Sequence, residues 1–193
     1  NPLAAERMKK LTEQNRHYLA HEFFNEDWHP MPFSAIAEMF AEAKLEFAAP
    51  ATFAGHVDDI NFTTEQRQFL SDIPDATLRE TTKDFILNQQ FRKDYWIKGP
   101  VKLAPLECAL MLRGVRVVLQ KPAGEVTLKM QAGLGEVYLR EEIYQPIIDL
   151  LSNHQVRTIG EIENHFAASG NDSGPKITMA QIIQAIVLLL GTD

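Results

Sequence analysis

A single cysteine, Cys108, stands in 193 residues, so no internal disulfide can form and a reducing cytoplasm is the simplest setting. Basic residues are also scarce: 19 Lys and Arg face 26 Asp and Glu, a formal net charge of -7. That balance opposes binding to phosphate backbones, whose affinity comes largely from Lys and Arg, so nucleic acid is not an expected partner. No apolar run approaches the roughly 20 residues that a membrane helix needs, and no membrane partner is expected either. The opening Asn1-Pro2-Leu3-Ala4-Ala5-Glu6-Arg7 lacks the apolar segment of a signal peptide. It also lacks an initiator Met, as a piece cut from a longer chain would. What is present is ordinary for a soluble globular protein, with 45% hydrophobic and 23% charged residues. The length suits one large domain or two small ones.

The spacing of apolar residues divides the chain near Gly99-Pro100, into 1–100 and 101–193. In the first part, Leu3, Met8, Leu11, Tyr18, Leu19 and Phe23 predict a helix over 3–24. Ser34 offers an N-cap for a helix over 35–43, and Leu45 to Ala49 suits a short strand. Thr63 with Gln66 forms a capping box for a helix through Leu70. After Pro74 a longer helix should reach Gln90 with Leu78, Phe85 and Ile86 inward, followed by a strand at Tyr95-Trp96-Ile97.

The second part changes character. A short helix should begin near Pro105. Val115 to Gln120 and Val126 to Met130 read as strands separated by the turn Lys121-Pro122-Ala123-Gly124, with a third strand over Glu136 to Leu139. Three helices follow: one over 141–153 and two opened by capping boxes, Thr158 with Glu161 and Thr178 with Gln181. Ile159, Ile162 and Phe166 line one face of the second. Ile182, Ile183, Ile186, Val187 and Leu190 make the third apolar around much of its girth, hence buried. Ser169 to Pro175 reads as a flexible link. The fold class is α+β and helix-rich, with a winged-helix-like unit beside a small sheet in the second part.

The densest polar chemistry lies in Tyr18-Leu19-Ala20-His21-Glu22-Phe23-Phe24-Asn25-Glu26-Asp27-Trp28-His29-Pro30. A second unusual stretch is Lys83-Asp84-Phe85-Ile86-Leu87-Asn88-Gln89-Gln90-Phe91-Arg92. Their order and composition resemble the methyltransferase regulatory domain, which follows the S-adenosylmethionine-binding domain in certain bacterial methyltransferases. The resemblance covers roughly residues 16 to 98. It implies an accessory domain that regulates the enzyme or helps present its substrate, and some relatives methylate protein lysines. It further implies a catalytic domain N-terminal to this chain in the same polypeptide, holding S-adenosylmethionine. Beyond residue 98 the chain resembles the C-terminal extension of those proteins more weakly.

Little else here supports catalysis. A methyl-donor site needs a strand, a glycine-rich turn and an acidic residue for the ribose. Ala132-Gly133-Leu134-Gly135-Glu136 is the only remnant, and without a following helix it reads as a hairpin turn. No cofactor is therefore expected in this chain, and no catalytic residue. His17 and His21, four apart, could begin a zinc site with Glu22, Glu26, Asp27 and His29, but they lack the intervening glutamate of the metalloprotease helix, and no metal is expected. The serines lack nucleophile-elbow glycines, and Cys108 reads as a packing residue. Arg92, Lys93 and Lys98 beside Tyr95 and Trp96 could form a small cationic face, but the preferred reading is outward positions of an ordinary strand.

His21, Glu22, Asn25, Glu26, Asp27 and Trp28 could instead form a binding edge for a basic partner such as a lysine-bearing segment of a protein substrate. Against this stands a helix end whose charges are solvated while Phe23, Phe24 and Trp28 fill the core. Two other functions remain open, a winged-helix DNA-binding protein and a zinc-dependent enzyme. The first is weakened by Met179 to Leu190, which contains no Lys or Arg to touch phosphate or read guanine. A homodimer is open as well.

Overall fold

The computed structural model describes residues 8–24, 26, 27, 29–169 and 176–192. The expected helix start at Leu3, Asn25, Trp28 and residues 170–175 of the expected link lie outside them.

The single helix expected over 3–24 is interrupted. Residues 8–12 are helical, and Asn15 then opens a new helix, α1 (Arg16–Phe23), its side chain accepting from the His17 amide at 2.8 Å. An asparagine that caps a following helix offers the backbone an alternative to continuing the preceding one. Helix α2 (Phe33–Glu42) starts after Pro32, whose extended backbone places Ser34 inside the first turn rather than at the cap. Strand β1 (Leu45–Pro50) pairs antiparallel with β2 (Asp94–Lys98), with Phe47 opposite Trp96. Period-two alternation turns Trp96 inward, within 4.8 Å of the Phe40 ring and 5.5 Å of Phe33, and leaves Tyr95 and Ile97 exposed. Aromatic edge and stacked contacts thus fasten α2 to the ribbon.

A 3-10 turn (Phe53–His56) and the short helix α3 (Asp58–Asn61) lead to α4 (Thr64–Ser71), opened by the expected Thr63–Gln66 capping box. Helix α5 (Ala76–Leu87) is capped by Asp75 and ends three residues before Gln90, because Asn88 adopts the left-handed conformation at φ 51°. Its orientation corrects the sequence expectation. Leu78 and Phe85 are 56% and 78% exposed, and the stripe turned to the protein is Glu80, Thr81, Asp84 and Leu87. Carboxylates on that stripe meet the partly buried Arg92, and this pairing outweighs the apolar periodicity.

The second part contains α6 (Pro105–Arg113), β3 (Arg116–Val117), β4 (Lys129–Ala132), β5 (Gly135–Tyr138), α7 (Glu141–Leu151), β6 (Arg157–Thr158), α8 (Ile159–Ser169) and α9 (Met179–Leu189). The strand expected over Val115 to Gln120 shrinks to two residues, the one expected over Val126 to Met130 shifts to 129–132, the third keeps its length one residue earlier, and the small sheet is divided. β4 pairs with β5 across Gly133-Leu134, and β3 pairs with β6. A 3-10 turn over Ala123–Glu125 follows Pro122, which has no amide to donate to a ladder. Both expected capping boxes form, at Thr158 with Glu161 and at Thr178 with Gln181. Ile159, Ile162 and Phe166 are buried as expected, and so are Ile182 and Ile186, while Leu190 beyond the end of α9 is exposed. The core gathers Ile147, Leu151, Ile162, Phe166, Ile182 and Leu188, and Val57 and Ile60 reach it from the first part. Among the described residues no helix is long and apolar enough to cross a membrane. The architecture is α+β and helix-rich.

Candidate functional site

The polar motif of the N-terminal region sits on the end of α1 and the turn after it. His21, Glu26 and Asp27 are exposed and Glu22 is half-buried; Asn25 and Trp28 lie outside the described residues. Helix α1 buries none of its residues. Phe23 and Phe24 do not fill the core: they are 47% and 84% exposed, and Tyr18 is 48% exposed. The sequence places aromatics here at a density suited to a core, yet Phe24 in particular stays exposed. Chemically, the end of α1 offers two large apolar rings beside three carboxylates. Among the described residues no three His, Cys, Asp or Glu side chains are grouped so as to hold a metal ion.

The second motif has a structural centre that the sequence did not reveal. Arg92, expected to point outward from a strand, is turned inward, its side chain 18% exposed. Its Nε and Nη2 bond both Asp94 oxygens at 2.8 and 2.9 Å, Nη1 bonds Asp84 at 2.8 Å, and Nη2 also bonds Glu80 at 3.0 Å. The guanidinium lies over the Phe33 ring at 4.3 Å, which ties it to α2. Burial works against the Arg92 charge, but hydrogen bonds to Asp94 and Glu80 and the charge of Asp84 hold its pKa above the usual arginine value. Asp84 moves in the same direction, since its own burial outweighs the attraction of Arg92. Three carboxylates share one guanidinium. One signal was legible in principle: Glu80 and Asp84 are four apart, on one helix face, with a lone arginine just downstream.

Beside this knot a cleft of about 330 Å³ is lined by Thr52, Gly55, Lys83, Leu87, Phe91 and Lys93, among others. Phe85 and Phe91 of the motif are 78% and 75% exposed. Both motifs therefore combine a polar anchor with aromatic rings facing solvent.

The two-glycine remnant is a hairpin turn, as expected. Its amides are engaged within the fold: Gly133 donates to Asn61 and Leu134 donates to the Ile60 carbonyl. A phosphate-cradling loop needs such amides free to face a ligand. Cys108, expected to pack, is exposed, because α6 turns Ala109 and Leu112 toward the protein and Cys108 away.

Comparison with known proteins gives three matches. Residues 15–98 match the family described as the predicted methyltransferase regulatory domain. An uncharacterized protein of Synechocystis sp. is 39% identical over 191 residues, which is 99% of this chain and 36% of that protein. The structure of PKMT2 from Rickettsia typhi shares the fold at a TM-score of 0.60 and 15% identity, over 99% of this chain and 40% of that one. The chain thus spans little more than a third of the relative's length.

Proposed function

We propose, from the match of residues 15–98 to the predicted methyltransferase regulatory domain family, that the chain is a noncatalytic regulatory or substrate-recognition region of an S-adenosylmethionine-dependent methyltransferase. The catalytic domain lies elsewhere in the same polypeptide and holds the methyl donor; the relative's far greater length leaves room for it. The observation that carries this reading is the end of α1. It falls inside the family match, yet it buries none of its residues and presents Phe23 and Phe24 beside Glu22, Glu26 and Asp27. Rings and carboxylates together suit a basic protein segment, with apolar area for affinity and charge for orientation. The engaged amides of the Gly133-Leu134 turn support the noncatalytic part.

Calorimetric titration of the chain with S-adenosylmethionine tests it. No heat above dilution is expected. Saturable binding in the micromolar range or tighter would sink the noncatalytic reading.

A further inference from the structure

Away from α1, and sharing Glu80 with the knot around Arg92, a cleft of about 260 Å³ opens between α4 and α5, lined by Arg67, Arg79 and Lys83, by Asp58 and Glu80, and by Phe47 and Leu70. Two of the three cations are neutralised within the fold. Arg67 pairs with Asp59, and Lys83 stands 3.3 Å from both Asp58 and Glu80. Glu80 also accepts from Arg92, so the carboxylates bordering the cleft are already engaged.

Arg79 differs. Among the described residues it pairs with no carboxylate, and its guanidinium makes one long bond, 3.4 Å from Nη2 to the Pro74 carbonyl. Its Nε–H is shielded from solvent without an acceptor, and so is the Nε–H of Arg67 on the same cleft. Shielded donors without acceptors are rare in folded proteins, and a charged one is the most costly kind. A guanidinium fork matches the geometry of a carboxylate or phosphate, and apolar walls strengthen the attraction by excluding water.

We propose that this cleft binds one oxyanion, a carboxylate or a phosphate group, with Arg79 as its principal contact and Arg67 as the second. The inference is independent of the methyltransferase reading.

Thermal melting of the whole chain tests it, with inorganic phosphate and acetate titrated separately against sodium chloride at matched ionic strength. The expected result is a saturating rise in Tm with phosphate, acetate or both, abolished by Arg79→Gln and weakened by Arg67→Gln. Saturation by phosphate alone assigns a phosphate group, and equal saturation by acetate assigns a carboxylate. A rise that tracks ionic strength without saturating, or one that persists in Arg79→Gln, overturns the proposal. Should Arg79→Gln fail to fold, Arg79→Lys keeps the charge and removes the fork. Binding by that variant as tight as by the natural chain would also overturn it.

Discussion

Asn61 holds the tip of the β4–β5 hairpin against the first part of the chain. Its Oδ1 accepts from the Gly133 amide at 2.9 Å, while its Nδ2 donates to the carbonyls of Ala54 and Val57 at 2.7 and 2.9 Å. One buried side chain thus joins residues 72 positions apart in sequence. The approach is tight enough to require glycine: a Cβ on Gly133 would stand 2.7 Å from the Asn61 carbonyl oxygen and 2.5 Å from Leu87 Cδ2. The carbonyl belongs to backbone and cannot move aside as a side chain would.

Asn61→Ala should therefore destabilise the fold by about 1–2 kcal/mol, because it takes the acceptor from the part-buried Gly133 amide and unties the hairpin tip, while the Ala54 and Val57 carbonyls keep the Val57 and Ile60 amides. Gly133→Ala should cost about 1–3 kcal/mol through overpacking. Since both act at one contact, the double variant should lose less than the sum of the two. Urea unfolding of the three variants checks this, and additive losses would mean that the two positions are not coupled.

Arg92→Ala leaves Glu80, Asp84 and Asp94 facing one another without their guanidinium. Breaking a partly buried ion pair from one side should cost about 2–3 kcal/mol here, below the fully buried range because the group retains some solvent contact. Arg92→Lys should recover only part of it, since an ammonium cannot bond both Asp94 oxygens while reaching Asp84 and Glu80. Denaturant midpoints check the ranking. The near-ultraviolet circular dichroism signal of Trp96 should fall in Arg92→Ala, because the Phe33 ring beneath the guanidinium also stacks on Trp96.

Acid should destabilise the chain, for a reason that can be assigned. A backbone hydrogen bond and a side-chain hydrogen bond at Thr158 hold the Glu161 carboxyl below its ordinary 4.5, and a hydrogen bond from Arg113 does the same for Glu163. Both groups bind fewer protons folded than unfolded, so their contribution is present above about pH 4.5 and is lost as pH falls through their folded values. Asp84 acts oppositely: its raised value favours the folded state at low pH and ceases to do so as pH rises. Glu161→Gln keeps a capping partner for Thr158 without the charge. Its stability should fall less steeply than that of the natural chain between about pH 5 and pH 3, as urea unfolding at each pH would show.

For the end of α1, Glu22→Ala and Phe24→Ala should leave the melting temperature unchanged, because Phe24 is 84% exposed and α1 buries nothing. In the methyltransferase proposed above, the same changes should weaken methyl transfer or partner affinity by roughly thirtyfold, the effect of losing about 2 kcal/mol at an interface anchor. Activity lost only in proportion to folded protein would make the region structural.

Local signals carried far in this chain. Thr63, Thr158 and Thr178 each open a helix with the partner three residues later, because a capping box is complete within four residues of sequence. The Gly133-Leu134 hairpin, the β1 and β2 segments and the inward face of Ile159, Ile162 and Phe166 were legible for the same reason: neighbouring residues settle them. The two motifs that brought the family into view are local as well. What tertiary structure alone decided is which face of α5 turns inward. Apolar spacing pointed Leu78 and Phe85 of α5 to the core, but Arg92 arrives from beyond the helix and requires Glu80 and Asp84 there instead. Asn61 shows the same limit, since its role exists only once Gly133 meets it. The pairing of β3 with β6, distant in sequence, likewise left no local mark. Hydrogen bonds and charges that close over tens of residues depend on the assembled fold, and periodicity within one helix or strand carries no record of them.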